Sequence, residues 1–415
     1  MSFDAFPVAR LKDLVEIKSG RLNSSDAVAD GEFPFFTCSK EILRINHYEH
    51  DREAVLLGGN NANAVFPVFY FSGKFTARQR VYIIWSLDDE KLSNIFLYYF
   101  LVYYSPRFKP TARGTTTLFI TLPMLQALEV PLPPRSEQYR IASLLRGIDD
   151  RITLLRETNT TLEAISQALF KSWFVDFDPV RAKASGLEPE SMDEANAALF
   201  PDSFEESELG LVPRGWMVRS LDSIANYLNG LALQRFPPTD DAWLPVIKIA
   251  QLRKGDTVGA DRASRNIKPE YIIQNGDVLF SWSGSLEVVI WCGGEGALNQ
   301  HLFKVTSKDF PKWFYYLWTR QHLADFQHTA ASKATTMGHI QRKHLTEAKV
   351  VVPSAEVLRN AGVLIEPLLK RWLVNAEKAH TLTQLRDTLL PRLISGQLRL
   401  PEMEASVEAM LSEAV

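Results

Sequence analysis

A single apolar spacing runs through almost forty consecutive residues of this chain, which is more than one compact domain ordinarily asks of one element. From Ser136 to Phe174, the residues Ile141, Leu145, Ile148, Ile152, Leu155, Leu162, Leu169 and Trp173 alternate steps of four and three, with Asn159 and Ser166 filling the two gaps. This is a heptad seam, the signature of a helix that must pack along another helix. Pro133 and Pro134 hold the preceding chain extended, Ser136 is placed to cap the start, and Glu137 puts negative charge into the first turn. At 1.5 Å per residue such a helix runs roughly 60 Å.

The partner lies in the same chain. Shifted by 220 residues, Gly114–Trp173 aligns without a gap to Ala334–Leu393: Thr115 and Thr116 meet Thr335 and Thr336, Ile120 meets Ile340, Pro133 meets Pro353, and Leu162 and Leu169 meet Leu382 and Leu389. That period is too long for a solenoid and suits a duplicated domain. The second seam then comprises Ile365, Leu368, Trp372, Asn375, Leu382 and Leu389. The expected fold is α+β, with two globular regions in pseudo-two-fold tandem separated by two long antiparallel helices that form a coiled coil. In numbers, these are a globular region at 1–134, a long helix at 135–178, an acidic linker at 179–212, a second globular region at 213–353, a second long helix at 354–400 and an acidic tail at 401–415. Asn159 aligns to Ala379 and Leu155 to Asn375, so each seam carries its own asparagine, a residue type that fixes register at some cost in stability.

The net charge of -3 is unevenly spread. Gly186–Leu209 holds eight acids and no Lys or Arg, and Pro401–Val415 holds four more; removing those twelve negative charges leaves +9 on the remainder, so a positive face is permitted. Cys38 and Cys292 fall in different repeats without metal-ligand spacing, as core thiols of a cytosolic protein would. No run approaches eighteen apolar residues and the first residues have no apolar signal core, so a soluble cytoplasmic protein is expected.

Catalytic patterns are missing from the sequence. There is no phosphate-cradling GxxxxGK[ST], and Gly293-Gly294-Glu295-Gly296 lacks its lysine. Asp178-Pro179-Val180 lacks the second proline and the aromatic residue of an amino-methyltransferase motif, and His47 with His50 has no clear third ligand. What remains is a binding pattern. DVLFSWSGS from Asp277 corresponds loosely to EAVLLGGNN from Glu53, and LNQHLFKV from Leu298 to ARQRVYII from Ala77. Lys74, Arg78, Gln79 and Arg80 answer to the stretch Gly294–His301, which ends in Asn299, Gln300 and His301, side chains able to bond base edges or phosphates. Arg113 with Thr115 and Thr116, and Lys333 with Thr335 and Thr336, set a cation and hydroxyls at the same place in both repeats, which suits phosphates. Arg342 and Lys343 align to Leu122 and Pro123 and would serve the second repeat alone.

Three stretches carry a resemblance: PLPPRSEQYRIASLLRGIDDRITLLRETNTTLEAISQALFKSWFVDFDPVRAKASG from Pro131, the following FPDSFEESELGLVPRGW, and LRDTLLPRLISGQL near the end. They are similar to the conserved regions of the specificity subunit of type I restriction-modification systems. The resemblance implies two target-recognition domains, each reading half of a split double-stranded DNA site, held apart by the two helices. It implies docking of two methyltransferase subunits on those helices and completion of the assembly by translocase-nuclease subunits. S-adenosylmethionine, ATP and Mg²⁺ would be bound by the partners, and this chain would carry no catalytic residue and no metal. Two other classes fit parts of the sequence: a coiled-coil scaffold that binds no DNA, and a DNA-modifying enzyme acting alone.

Overall fold

The computed structural model describes residues 6–63, 65–114, 117–190, 192–238, 242–332 and 338–399. The chain divides into two compact units: one holds the residues up to Ile152 together with those from Leu382 on, the other Thr153–Thr381. Each unit therefore contains one globular region and a part of both long helices.

In the first region the order is β1 (Val8–Arg10), β2 (Val15–Ser19), β3 (Phe33–Phe36), β4 (Leu43–Ile45), β5 (His50–Gly58), β6 (Asn60–Asn61), β7 (Val68–Ala77), β8 (Val81–Ser86), α1 (Asn94–Tyr104), β9 (Leu118–Phe119), α2 (Leu122–Gln126) and β10 (Glu129–Pro131). Six strands form one sheet in the order β2-β8-β5-β7-β3-β4, with β3 and β7 parallel and the other pairs antiparallel. Ala54, Leu56, Phe75, Ala77, Val81 and Ile83 bury one core on this sheet. Helix α1 is capped by Ser93, whose hydroxyl accepts from Phe96 N, and buries Phe96, Leu97, Phe100 and Leu101. β1 pairs with β10, so the strand leading into the first long helix is anchored to the region's first strand.

That helix, α3 (Arg135–Phe174), starts one residue earlier than Ser136. Ser136 does not cap it; the Pro134 carbonyl accepts from Glu137 N and Gln138 N instead. Gln138 is fully buried, donates to the Lys91 and Pro133 carbonyls and accepts from Ser93 N, which ties the first turn of α3 to the start of α1. Ile141, Leu145, Ile148, Ile152, Leu155 and Asn159 are buried as the heptad spacing requires. Leu162 and Leu169 are only half-buried, because Ser166 and Phe170 take the buried face where α3 meets aromatic residues of the second region.

The segment after α3 departs from the expected acidic linker. Asp178-Pro179 opens α4 (Asp178–Ala184), with proline in the first turn, where its missing N–H costs nothing. α5 (Glu194–Ala198) follows, capped by Asp193, and then a hairpin of β11 (Phe204–Ser207) and β12 (Gly210–Pro213). The acids face water while Phe177, Val180, Phe200, Val212 and Trp216 enter the core of the second unit, so apolar burial, which total charge does not reveal, decides the structure.

The second region continues with β13 (Met217–Ser220), α6 (Leu221–Ile224), β14 (Asn226–Asn229), β15 (Trp243–Ile247), α7 (Ile249–Lys254), β16 (Arg262–Ser264), β17 (Ile272–Ile273), β18 (Val278–Ser281), β19 (Val288–Ile290), β20 (Gly296–Leu298), β21 (Leu302–Thr306), α8 (Lys312–Gln321), α9 (Leu323–Ser332), α10 (Arg342–Glu347) and β22 (Lys349–Val352). β13 pairs with β22 as β1 does with β10. The sheets run β14-β21-β18-β19 and β16-β15-β20-β17.

The second long helix, α11 (Ala355–Ile394), is capped by Ser354, whose Oγ accepts from Val357 N. Ile365, Asn375, Leu382 and Leu389 are buried; Leu368 and Trp372 are half-buried, with Leu369 and Ala379 buried beside them. Here α11 packs on Trp313 and its neighbours as well as on α3, so the apolar arc is wider than a two-helix seam. Asn159 Nδ2 donates to the Trp372 carbonyl at 2.9 Å, an interhelical bond, while Phe170 and Phe174 further along α3 share a core with Val357 and Ala361, so the helices are antiparallel. The Asn375 side chain, 1% exposed, makes no hydrogen bond among the described residues. The acidic tail at 401–415 lies outside the described residues. No described helix is long and apolar enough to cross a membrane.

Candidate nucleic-acid interface

Three loops meet in each globular region, and main-chain hydrogen bonds fix their correspondence. In the first, the turn Arg78-Gln79-Arg80 joins β7 to β8: Gly20 N donates to Val81 O at 3.0 Å, Gln79 N to Leu22 O at 2.8 Å and Val81 N to Arg78 O at 3.0 Å. In the second, the turn Asn299-Gln300-His301 joins β20 to β21: Gly230 N donates to Leu302 O at 3.0 Å, Gln300 N to Leu231 O at 2.9 Å and Leu302 N to Asn299 O at 3.0 Å. A further pair of bonds brings in the other loops. Gly59 N donates to Arg80 O and Ile120 N to Gly59 O, both at 2.8 Å; Trp282 N donates to His301 O at 3.3 Å and Ile340 N to Trp282 O at 2.9 Å.

This network makes Arg78, Gln79 and Arg80 the positional equivalents of Asn299, Gln300 and His301. It also corrects the other loop: Gly59 answers to Trp282 and Asn60 to Ser283, one residue away from the correspondence that begins at Glu53 and Asp277, because the β5–β8 register of Gly58 with Val81 matches that of Ser281 with Leu302. Neighbouring apolar residues of these strands are alike in kind, so the sequence does not fix their register by itself.

The side chains differ at these equivalent places. Gln79 and Arg80 are exposed, and Gln79 Nε2 donates to Asn23 Oδ1 at 2.6 Å. Asn299 is 2% exposed and bonds inside the turn, to Gln300 Oε1 and His301 N, so it holds the turn rather than presenting a reading group. Gln300 and His301 are half-exposed, with His301 Nδ1 held by Ser283 Oγ at 2.9 Å. Trp282 lies beside His301 and His339, its ring centroid 5.8 Å and 6.4 Å from theirs, and Nε1 donates to Asn229 Oδ1. In the first region Gly59 leaves that place to Tyr82, whose hydroxyl donates to Ile120 O.

The remaining candidates are placed as follows. Arg113 is exposed and pairs through its backbone with Phe119, closing the loop that holds Thr115 and Thr116; those threonines, and Lys333, Thr335 and Thr336 in the second region, lie outside the described residues. Lys74 sits within β7 opposite Asp51 with its ammonium 4.7 Å from the Tyr48 ring, away from the turn in sequence and committed to the sheet. Arg342 donates to the Tyr227 carbonyl and lies over Phe303, which makes it a brace for β14, and Lys343 beside it on α10 is exposed, as Arg342 is. Sequence reasoning missed Asn60, Asn61, Trp282, Ser283 and His339 as members of the cluster. Their sequence signal was EAVLLGGNN with its loose counterpart DVLFSWSGS, which marks loops without saying what they meet.

Arginines and an amide on the first region's loops, and an amide, imidazoles and an indole ring on the second's, are the chemistry of base and phosphate contact, and the turns that carry them are equivalent in the two regions. A profile of the family described as the type I restriction modification DNA specificity domain matches residues 4–164 and 213–387, one match per region. The chain is 25% identical over 303 residues to the MjaIX type I restriction enzyme specificity subunit of Methanocaldococcus jannaschii, covering 71% of this chain and 64% of that protein. It is 26% identical over 346 residues to the HindI type I restriction enzyme specificity subunit of Haemophilus influenzae, covering 70% and 74%. The match thus spans just under two thirds of the archaeal relative's length. Among solved structures, the S subunit of a type I restriction-modification system from M. genitalium shares the fold with a TM-score of 0.58 at 17% identity, over 94% of this chain and 96% of that one.

Proposed function

Since the chain belongs to the type I restriction modification DNA specificity family, we propose that it is the non-catalytic DNA-reading subunit of such a system, recognising a two-part site with one half per globular region. The observation that carries this reading is the repetition of the three-loop cluster, bond for bond, with different side chains at its tips. One reader duplicated and then diverged accounts for a site with two dissimilar halves. In this reading two methyltransferase subunits dock on the long helices and translocase-nuclease subunits complete the complex in the cytoplasm. S-adenosylmethionine, ATP and Mg²⁺ belong to those partners.

The test is a genome-wide map of modified bases in cells carrying the modification partner with and without this chain. A two-part motif that depends on the chain is expected. A DNA-free scaffold would leave the map unchanged and show no salt-dependent DNA binding, and an enzyme acting alone would modify or cut DNA without partners. The gap between the halves is proposed to be measured by the helices. Seven residues inserted after Leu155, with a matching heptad in α11, add about 10 Å of helix and should widen the recognised gap by about three base pairs. An unchanged gap would sink this ruler.

A further inference from the structure

Resting on the DNA-reading function above, we propose that Arg80 in the first region, and His301 at the equivalent place in the second, are the specificity-determining side chains of the two turns, with Arg80 committing the first half-site to a guanine.

The backbone points to Arg80 first. Among the described residues only Arg80, at φ 68°, and Phe177, at φ 58°, are non-glycine residues in the left-handed region. Glycine or asparagine enters that region with less strain than arginine. Phe177 is accounted for by packing, since it is buried against Phe204 and Trp216. Arg80 is exposed, so nothing in the core requires a long side chain there, and strain kept without packing gain marks a functional position.

The main chain of the same residue is held in place. Its carbonyl accepts from Gly59 N and from the Cys38 thiol, and a Cβ on residue 59 would come within 2.5 Å of that carbonyl, so glycine there lets the two loops close. A guanidinium projecting from a fixed main chain offers two parallel donors, which match O6 and N7 of guanine. His301 presents less. With Nδ1 engaged by Ser283 Oγ, only Nε2 is left to donate or accept, and one atom cannot make a two-point contact. The two turns therefore share their main-chain hydrogen bonds but differ at this residue, since Arg80 is left-handed and His301 is not, and in how many groups they offer a base.

The test is selection from a randomised DNA duplex by the full-length chain, assembled with its modification subunits, followed by sequencing. The wild-type chain should enrich a two-part motif. Arg80→Gly should melt no lower than wild type, because its backbone strain is relieved, and should lose discrimination at one guanine of the first half-site by about 10-fold or more, with the second half-site unchanged. Arg80→Lys keeps the charge but not the fork and should lose the same discrimination. If Arg80→Lys still selects the guanine, or Arg80→Gly weakens all sequences alike, Arg80 is a phosphate contact and the proposal fails. A motif untouched by Arg80→Gly also overturns this assignment alone, whereas no enriched motif with the wild-type chain overturns the DNA-reading function itself.

Discussion

The two globular regions share a strand order but not strand continuity. In the first, β5 and β7 are unbroken over His50–Gly58 and Val68–Ala77. In the second, each counterpart is split: β17 from β18 by a turn at Asn275-Gly276-Asp277, where Gly276 adopts φ 86°, and β19 from β20 by Trp291–Glu295, where Gly294 adopts φ 91°. One six-stranded sheet thus becomes two four-stranded ones, while the main-chain bonds around the reading turn stay the same. The hydrogen bonds around the turn tolerate less change than the strands that support it, even though Arg80 is left-handed and His301 is not. The turn is where two loops approach so closely that only particular residues fit.

That contrast can be broken most sharply at Gly20 and Gly230. A Cβ on Gly20 would lie 2.2 Å from the Ala77 carbonyl oxygen, and one on Gly230 2.2 Å from the Asn299 carbonyl oxygen. Both contacts are with backbone, which cannot swing away. Gly20→Ala and Gly230→Ala should each destabilise the unit that carries it by about 3 kcal/mol, seen in thermal unfolding of the full chain, and should abolish reading of one half-site. Unequal costs would mean that the two turns are not the same device.

The attachment of each region to the long helices makes a second comparison. In the first unit Tyr99 donates to Asp149 Oδ2 at 3.0 Å and Arg386 donates to Asp149 Oδ1 at 2.8 Å, so an α3 carboxylate joins α1 to α11. In the second unit Glu163 of α3 accepts from Arg320 at 2.7 Å and from Tyr316 at 3.5 Å, both on α8. Burial and the adjoining carboxylate push both tyrosine hydroxyls well above their usual titration range. Asp149→Ala leaves Arg386 half-buried beside Asp387 alone and unlinks three helices; Glu163→Ala unlinks two. We expect losses of about 2 kcal/mol for the first and about 1 kcal/mol for the second in denaturant titrations, less than a fully buried pair because both sites are partly solvated.

How much of this could be read from the sequence follows from what each feature depends on. The long helices were legible because Ile141, Leu145, Ile148 and Ile152 repeat at a spacing that only a helix turns into one face. The strand order was not, since β3 and β7 pair in parallel across forty residues and nothing local announces it. The Arg78–Arg80 turn was visible through its match to Asn299–His301. Its contact with Gly59 and Trp282 depends on a sheet register that a one-residue slip obscures. The order of the acidic segment was not legible in its charge, because Phe200, Val212 and Trp216 anchor it through apolar burial.

The two seam asparagines differ as well, with a smaller effect. Asn159 donates to the Trp372 carbonyl, whereas both polar atoms of the Asn375 side chain are buried without a partner among the described residues. An unpaired buried amide is a net cost, so Asn375→Leu should raise stability by about 1 kcal/mol, and Asn159→Leu should gain less because it gives up a real bond. If the double variant keeps the same DNA spacing and assembly, these asparagines do not set the register.

The smallest effect is in pH. His322 on the second region donates Nε2–H to the Lys349 carbonyl and stacks on Trp318, and burial holds its pKa below the usual 6.5, outweighing that carbonyl and Asp325, which favour the charged ring. His50 on the first region is also lowered, chiefly by burial, with Arg52 and Lys18 adding to the shift and Glu49 opposing it. In both cases the unfolded chain binds the proton more readily than the folded one. Stability is therefore full above pH 6.5 and falls as the pH drops from there through the folded-state value. The loss in the second unit should shrink in His322→Gln, which can keep a donor toward Lys349 but does not titrate, while His50 continues to weaken the first unit. If His322→Gln leaves the acid limb of the second unit's unfolding curve unchanged, His322 is not the group being protonated there.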